Sequence, residues 1–253
     1  MRALIAAGAV MAGISLAAPA LASGDAAHAP ATDWSFKGLF GTFDRGALQR
    51  GFQVYTEVCA GCHSLRLMSY RNLSDIGFKE EQVKEIAAAV EVEDGPDDEG
   101  EMFERPGRPS DRFKSPFPNA NAARASNNGA LPPDLTLMVK ARIDGANYLH
   151  ALMTGYRDAP EGFELSEGMA YNVYFPGNQI AMPSPISEDG VEYADGTKAT
   201  VDQMSRDVTT FLAWTAEPEM EERKRLGIKV ILFLLVLTGM LYALKRKIWA
   251  DIH

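Results

Sequence analysis

Cysteine and histidine are scarce in this sequence. Its 253 residues include only two cysteines, Cys59 and Cys62, and four histidines. A disulfide between these cysteines would close a very short loop and remove little chain entropy, which disfavours a structural bridge. A zinc site would need two further cysteine or histidine ligands at matching spacing. Because His28, His150 and His253 are scattered along the chain, zinc is poorly supported as well.

The sequence also lacks an excess of basic residues. Lysine and arginine number 25 against 34 aspartates and glutamates, and the net charge is −9. Nucleic-acid binding calls for a basic face, so this function class is disfavoured. No internal repeat is present, and the length allows one medium-sized domain with additional segments.

The two cysteines stand in the stretch VCAGCHSLRLMSYR, residues 58–71, and His63 follows the second one directly. A thioredoxin-type redox pair also uses C-x-x-C, but nothing in that chemistry requires the histidine. C-x-x-C-H is the attachment pattern of c-type haem, in which two thiols add to the haem vinyl groups and the imidazole binds the iron. The motif therefore predicts covalent haem on Cys59 and Cys62, with His63 as one axial ligand.

The N-terminus has the pattern of a secretory signal. Arg2 precedes an apolar run that ends in small residues, and Ala20-Leu21-Ala22 forms an A-x-A cleavage site. We therefore expect residues 1–22 to be a signal peptide and residues 23–226 to be the exported domain; an uncleaved membrane anchor is the alternative. Export agrees with the haem prediction, because haem c is attached outside the cytoplasm.

A second apolar run lies near the C-terminus. Residues 230–244 carry no charge, and basic residues flank the run on both sides. Ile228 extends the run past Lys229, and about 17 residues at about 1.5 Å each span roughly 25 Å, slightly less than a hydrocarbon core of about 30 Å. We expect a membrane anchor at residues 227–245 and, given the signal peptide, a cytoplasmic tail at residues 246–253. The alternative for a soluble protein is a buried core helix.

Hydrophobic spacing predicts a mainly α fold for the exported domain. Leu48, Phe52, Tyr55 and Cys59 recur at helical intervals, so a helix should deliver the haem motif. A second helix should follow Thr200, which with Gln203 has the spacing of a capping box. Its apolar positions are Val201, Met204, Val208, Phe211 and Leu212. The stretch 105–135 is rich in Pro, Asn and Ser, which predicts a long irregular segment that wraps the haem.

The identity of the second axial ligand distinguishes two functions. A methionine or histidine there completes an electron carrier, whereas an open iron position indicates ligand binding or catalysis. Met182 lies in YFPGNQIAMPSPI, an extended loop that Pro176, Pro183 and Pro185 stiffen, and such a loop can hold a weak Fe–S bond. We therefore predict Met182 as the ligand. His150, expected on a helix surface, and His28 are the alternatives. Other methionines are expected in the core or too near the motif: Met68, Met138, Met153 and Met204.

Seven stretches together resemble the cytochrome c1 family, the haem-carrying subunits of cytochrome bc1 complexes. They are VCAGCHSLRLMSYR, EDGPDDEGEMFERPGRPSD, NNGALPPDL, ARIDGANYLHALMTGY, YFPGNQIAMPSPI, YADGTKAT and AEPEMEERKRLG, and a single apolar run follows them. They occur in the family's order and cover nearly all of the chain after the signal. The resemblance implies a cytochrome c-like haem domain with one C-terminal transmembrane helix.

The resemblance also implies roles for individual residues. Arg142 matches an arginine that pairs with a haem propionate, and its planar guanidinium suits a carboxylate. Tyr148 matches a tyrosine near the haem, and Asn127, Pro132 and Pro133 match the segment that wraps it. Some bacterial relatives carry an additional disulfide in this domain, which is excluded here because no cysteines remain for it.

Electron transfer in this family runs from the Rieske iron–sulfur protein through the haem to a cytochrome c, in a dimeric complex that also contains cytochrome b. The resemblance thus implies an electron-transfer subunit of the bacterial inner membrane, not catalytic alone, with its haem domain in the periplasm. A stand-alone tethered cytochrome c that serves an oxidase is the alternative. A peroxidase would need an open iron position, and a sensor would need a larger cytoplasmic part.

The run EVEDGPDDEGE, residues 91–101, contains seven acidic residues and no basic one. Such a composition is typical of a solvated, partly disordered loop. It is also suited to dock a basic cytochrome c in a fast, salt-sensitive encounter. Both interpretations remain open at this point.

Overall fold

The computed structural model describes residues 26–250. The predicted signal peptide, residues 1–22, lies outside the described residues, as do residues 251–253 at the end of the predicted tail. Within the described range the protein is mainly helical, as the sequence predicts.

The α-helices are α1, Arg45–Val54; α2, Glu80–Ala88; α3, Ala120–Ser126; α4, Ala146–Thr154; α5, Val201–Ala216; and α6, Met220–Ile248. A π-helical turn, Tyr55–Cys59, continues α1, and 3₁₀ turns cover Tyr70–Ile76 and Pro176–Asn178. Two antiparallel pairs complete the structure: β1, Glu91–Asp94, with β2, Phe103–Pro106; and β3, Ala170–Tyr171, with β4, Gln179–Ile180.

The centre of the domain is the contact between α1 and α5. Asp44 caps α1 by accepting a hydrogen bond from the Ala47 backbone N–H at 2.9 Å. At Gly51 the two helices approach so closely that a Cβ atom would lie 2.1 Å from the carbonyl oxygen of Asp207. Glycine is therefore required at this crossing, and any side chain would push the helices apart.

Helix α5 begins as the sequence predicts, but its cap is simpler. The hydroxyl of Thr200 accepts a hydrogen bond from the Gln203 backbone N–H at 3.1 Å. The Gln203 side chain donates instead to the Asp207 carboxylate at 3.0 Å, so within the described structure the capping box is only half formed. The predicted apolar stripe is buried at Met204 and Phe211, and the rings of Phe52 in α1 and Tyr55 just after it pack against Phe211.

The stretch predicted to be irregular contains one short helix, α3. The side chain of Asn119 caps it by accepting from the N–H groups of Asn121 and Ala122, both at 3.0 Å. This cap and the alanines that follow allow helix in a segment whose composition otherwise favours loops. The rest of residues 105–135 is mostly irregular apart from the end of β2.

Helix α6 is continuous from Met220 and extends beyond the predicted anchor at both ends. It is long and apolar enough to cross a membrane, and none of its apolar window is buried by the rest of the chain. The side chains of Phe233 and Leu235 are exposed. The alternative prediction of a buried core helix is therefore wrong.

Candidate functional site

The C-x-x-C-H motif follows α1 without a break. The chain passes through the π-helical turn and then folds back, so that the His63 and Cys62 backbone N–H groups both donate to the carbonyl of Cys59, at 2.9 and 3.1 Å. Cys59 is buried, Cys62 is exposed, and no disulfide joins them. Burial raises the pKa of the Cys59 thiol to about 12, so this thiol is neutral at physiological pH.

The imidazole of His63 is oriented by a contact with a distant segment. Its Nδ1 lies 2.8 Å from the carbonyl oxygen of Pro133, which can only accept a hydrogen bond. Nδ1 therefore carries the proton, and Nε2 remains available as an electron-pair donor. Burial lowers the pKa of His63, while the Pro133 carbonyl and Asp134 partly oppose this effect. The neutral ring is the form that binds a metal ion.

Asp134 attaches the segment that contains Pro133 to the segment that follows the motif. Its carboxylate accepts hydrogen bonds from the Ser64 hydroxyl and the Arg66 backbone N–H, both at 2.8 Å. The Leu135 backbone N–H donates to the carbonyl of Ser64 at 2.9 Å, which adds a backbone link. Sequence reasoning missed Asp134, although it lies within the stretch NNGALPPDL; an acidic residue directly after two prolines was the available signal.

Met182 lies two residues after β4, in the loop that the sequence predicts. The hydroxyl of Tyr156 donates a hydrogen bond to the Met182 carbonyl at 3.0 Å, which fixes the backbone at this position. Burial raises the pKa of Tyr156, so its hydroxyl remains protonated and able to donate. Sequence reasoning missed Tyr156, because nothing in its local pattern indicates a partner 26 residues away.

The start of the Met182 loop is organised by Asn172, which is fully buried. Its side-chain amide donates to the Leu152 carbonyl in α4 at 2.8 Å, and its side-chain oxygen accepts from the Tyr174 N–H at 3.0 Å. The loop is therefore attached to α4 at Leu152 and again at Tyr156, just after the helix. A side chain on such a loop loses little conformational entropy when it binds a ligand.

The other residues implied by the resemblance lie between the end of α3 and the first turn of α4. Arg142 is exposed and lies close to Tyr148; burial raises the pKa of Tyr148, and Arg142 partly opposes that effect. Asn127 uses its side chain to donate to the Ala123 carbonyl at 2.7 Å, at the end of α3. Pro132 precedes Pro133 and is partly exposed.

The structure corrects the expected position of His150. It is buried in the contact between α4 and α5, whereas the sequence predicts a helix-surface residue. Its Nδ1 lies 2.9 Å from the Ser205 hydroxyl and its Nε2 lies 3.2 Å from Asp202. Both ring nitrogens therefore have partners in the protein, which argues against His150 as an iron ligand.

The acidic run is ordered over part of its length. Residues Glu91–Asp94 form β1, which pairs with β2, so the run belongs to a hairpin and is not simply a loop. Arg105 on β2 forms ion pairs with Asp94 and with Asp111, the latter at 2.7 Å. The hairpin therefore presents the remaining acidic side chains on a defined, exposed surface.

Comparison with known proteins identifies the family. The sequence model of the Cytochrome C1 family matches residues 34–252. The chain belongs to the cytochrome c1 family. It is similar to "Cytochrome c1" of Rhodospirillum rubrum, with 51% identity over 267 residues that cover 99% of this chain and 97% of that protein. "Cytochrome c1-2, heme protein, mitochondrial" of Solanum tuberosum is 55% identical over 205 residues, covering 81% of this chain and 79% of that protein.

A third relative is much longer than this chain. "Cytochrome b/c1" of Bradyrhizobium diazoefficiens is 50% identical over 273 residues, a match that covers 99% of this chain. The chain spans only 39% of the length of that protein.

A cytochrome carries haem, so family membership makes one haem c the cofactor of this cytochrome c1 family member. The residues at the site fit that group. His63 is neutral with Nε2 available, two thiols precede it, and a thioether lies on a well-anchored loop. Ile143, beside Arg142, is 88% exposed although it is large and apolar, which suits a segment that covers an apolar cofactor.

Proposed function

We propose that this chain is the electron-transfer subunit of a ubiquinol–cytochrome c reductase. It would pass electrons from a Rieske iron–sulfur protein, through covalently bound haem c, to a cytochrome c. The observation that carries the proposal is the 2.8 Å contact between His63 Nδ1 and the Pro133 carbonyl, within a C-x-x-C-H motif. This contact is the arrangement expected of a metal-binding histidine whose ring must be fixed.

We assign four residues to direct binding. Cys59 and Cys62 would attach haem through thioether bonds, and His63 and Met182 would bind the iron. When bound, the haem supplies one-electron redox chemistry, and histidine–methionine ligation favours the reduced state and so raises the potential. The chain itself sets the ligands, excludes water and controls how closely a redox partner can approach.

Weaker contacts with the cofactor are assigned from the resemblance. Arg142 would pair with a propionate, and Tyr148 would lie beside it. Arg142 is permanently charged and lies close to Tyr148. This arrangement supports the pairing of Arg142 with a propionate. Asn127, Pro132 and Pro133 would belong to the covering segment, in which Pro133 has the additional role of orienting His63.

The partners and the topology follow from the same proposal. Cytochrome b would be the membrane partner, and the relative named "Cytochrome b/c1" supports the association because its name joins the two. We propose that residues 1–22 are a signal peptide, that the domain at 23–226 is periplasmic, and that residues 227–245 span the bacterial inner membrane once. The tail at 246–253 would then be cytoplasmic and the complex dimeric.

Purification of the native complex tests the proposed function. The complex would be solubilised in detergent from membranes of the source bacterium, and its visible spectrum and subunit content recorded. We expect a c-type spectrum, with a b-type cytochrome and an iron–sulfur protein in the same fraction. A c-type spectrum without these partners would support the alternative, a stand-alone tethered cytochrome c.

A double variant tests the attachment site directly. Cys59→Ser with Cys62→Ser should remove the haem-stained band of this chain from a denaturing gel, because no thioether bond can form. A persisting stain would refute the assignment of the motif.

Rapid binding of carbon monoxide to the native reduced protein would refute Met182 ligation and favour a haem enzyme instead.

A further inference from the structure

Two large apolar side chains are exposed next to each other in a turn before α1. Leu39 is 60% exposed and Phe40 is 79% exposed. The aromatic residues on either side, Phe36 and Phe43, are buried in the core. Single exposed apolar residues are ordinary on protein surfaces, but an adjacent leucine and phenylalanine at the tip of a turn form a compact apolar projection.

The backbone of this turn holds the two side chains outward. Gly38 has a φ angle of +77°, a conformation that glycine adopts without strain. A Cβ atom on Gly41 would lie 2.0 Å from the carbonyl oxygen of Lys37, so the turn is too tight for any other residue there. The Thr42 N–H donates to the Ser35 carbonyl at 3.0 Å and closes the turn at its base.

The turn is attached to α6, the helix that is long and apolar enough to cross a membrane. The ammonium group of Lys224 donates to the carbonyls of Phe36 and Gly41, at 2.8 and 2.9 Å. One turn of helix earlier, Glu221 accepts from the Phe43 N–H at 2.7 Å and pairs with Arg45 at 2.8 Å. Both ends of the turn are therefore fixed to the first two turns of α6.

These contacts place the turn near the membrane surface, provided that α6 spans the bilayer as proposed above. Lys224 lies three residues before the predicted anchor at 227–245, which is about 5 Å along the helix axis. The polar headgroup layer of a bilayer is several ångströms thick on each side of the hydrocarbon core. The apolar tip is thus attached at the level of the headgroups.

We propose that Leu39 and Phe40 insert into the periplasmic leaflet, as a second contact between the domain and the lipid bilayer. This inference rests on the proposed membrane anchoring of α6. Lipid is the occupant that matches the observations, because the projection is apolar, small and fixed to a helix whose own exposed surface is apolar. With two contacts instead of one, α6 and the domain attached to it cannot tilt freely, so the orientation of the domain over the membrane is restricted.

Site-directed spin labelling tests the proposal. Cys59 and Cys62 are consumed by haem attachment, so a cysteine introduced as Phe40→Cys is the only free thiol and takes a single nitroxide. The full-length haem protein would be reconstituted in vesicles of phosphatidylethanolamine and phosphatidylglycerol. Oxygen partitions into lipid and a nickel chelate stays in water, so the ratio of the two accessibilities reports depth.

Met102→Cys provides the matched control, because Met102 is a large apolar side chain that is 55% exposed on the acidic hairpin. We expect an oxygen-to-nickel ratio at position 40 several-fold above that at position 102, with Leu39→Cys agreeing with position 40. Equal, water-like ratios at 39, 40 and 102 would overturn the proposal. An unchanged haem spectrum in every labelled variant shows that the domain is folded.

A label on α6 separates this inference from the proposed function. Val236→Cys, near the middle of the apolar run, should report a lipid environment. A water-like ratio there would refute membrane anchoring itself, whereas lipid at 236 with water at 40 would refute only the turn contact. If position 40 is water-like in vesicles but shielded from both reagents in the purified complex, its occupant is another subunit, and the lipid proposal is wrong.

Discussion

The imidazole Nδ1 of His63 lies 2.8 Å from the carbonyl oxygen of Pro133, a residue 70 positions further along the chain. The contact joins the haem motif to the segment that the resemblance describes as wrapping the haem. It fixes both the tautomer and the plane of the ring. The accepting oxygen belongs to the backbone, so its position depends on how residues 132–136 are attached to the rest of the domain.

Asp134 is the residue that provides this attachment, so its removal should loosen His63. Asp134→Ala leaves the Ser64 hydroxyl and the Arg66 N–H without their acceptor, and we expect a loss of about 1–3 kcal/mol in the free energy of unfolding. The haem potential should also rise, because a weaker Nδ1 hydrogen bond makes the imidazole a poorer electron donor. Denaturant unfolding and a redox titration measure the two effects.

Asp134→Asn is the control for this positioning role. The amide can keep its oxygen where the Ser64 hydroxyl and the Arg66 N–H donate, and it loses the hydrogen bond from the Thr136 N–H to the other carboxylate oxygen. Most of the stability and the potential should therefore be retained. A loss of stability in Asp134→Ala without any change in potential would show that Asp134 is structural only.

Replacement of Met182 should lower the haem potential sharply. Met182→Leu leaves the thioether bonds to haem intact but removes the sulfur donor that favours reduced iron. The weak red absorption band of methionine-ligated ferric haem should disappear together with the high potential. Met138→Leu, at a methionine buried in the core, should leave both unchanged. An unaltered spectrum in Met182→Leu would assign the ligand elsewhere, although not to His150, whose nitrogens are both engaged.

Loss of the Tyr156 hydroxyl should weaken methionine ligation without abolishing it. Tyr156→Phe removes the 3.0 Å hydrogen bond to the Met182 carbonyl and should cost about 1 kcal/mol. The red band should then disappear at a lower temperature than in the parent protein, while the spectrum at low temperature is unchanged. Tyr171→Phe, on the neighbouring strand β3, is the matched control. Identical melting of the band in both variants would show that the hydrogen bond does not support the loop.

Local patterns were sufficient to predict helices α1 and α5. The interval between Leu48, Phe52 and Tyr55 predicts α1 because one helix face must be buried, and that requirement is visible in a short window. Thr200 likewise predicts the start of α5. The chain continues past Val54 as a π-helical turn, a detail that the periodicity does not predict.

Contacts between distant segments could not be predicted in the same way. Asp134 and Tyr156 act through backbone groups, which carry no sequence signal, and their partners are far along the chain. His150 was misplaced because a single histidine in a helical pattern does not show which face it occupies. Its burial depends on Ser205 and Asp202, about 50 residues away, which satisfy its ring nitrogens.

The hairpin clarifies which acidic residues are free to attract a partner. Asp94 forms an ion pair with Arg105. Four other acidic residues have no ion pair within the described structure: Glu93, Asp97, Asp98 and Glu99. The Asp97 carboxylate accepts from the N–H groups of Glu99 and Glu101, both at 2.9 Å, and an amide at position 97 can still accept these bonds. Replacing these four free residues by their amides should therefore remove charge while preserving the turn.

Neutralising these four residues should slow the reduction of a basic cytochrome c by lowering the association rate. Their field extends about one Debye length, roughly 8 Å at physiological ionic strength, so the effect should be large at low salt and vanish at high salt. The salt dependence of the rate, measured by stopped flow, should become flatter. Exposed acidic residues elsewhere provide a variant with the same change in net charge: Asp158, Glu161, Glu164 and Glu167. If both variants slow the reaction equally at every ionic strength, net charge alone is responsible and the hairpin is not a docking surface.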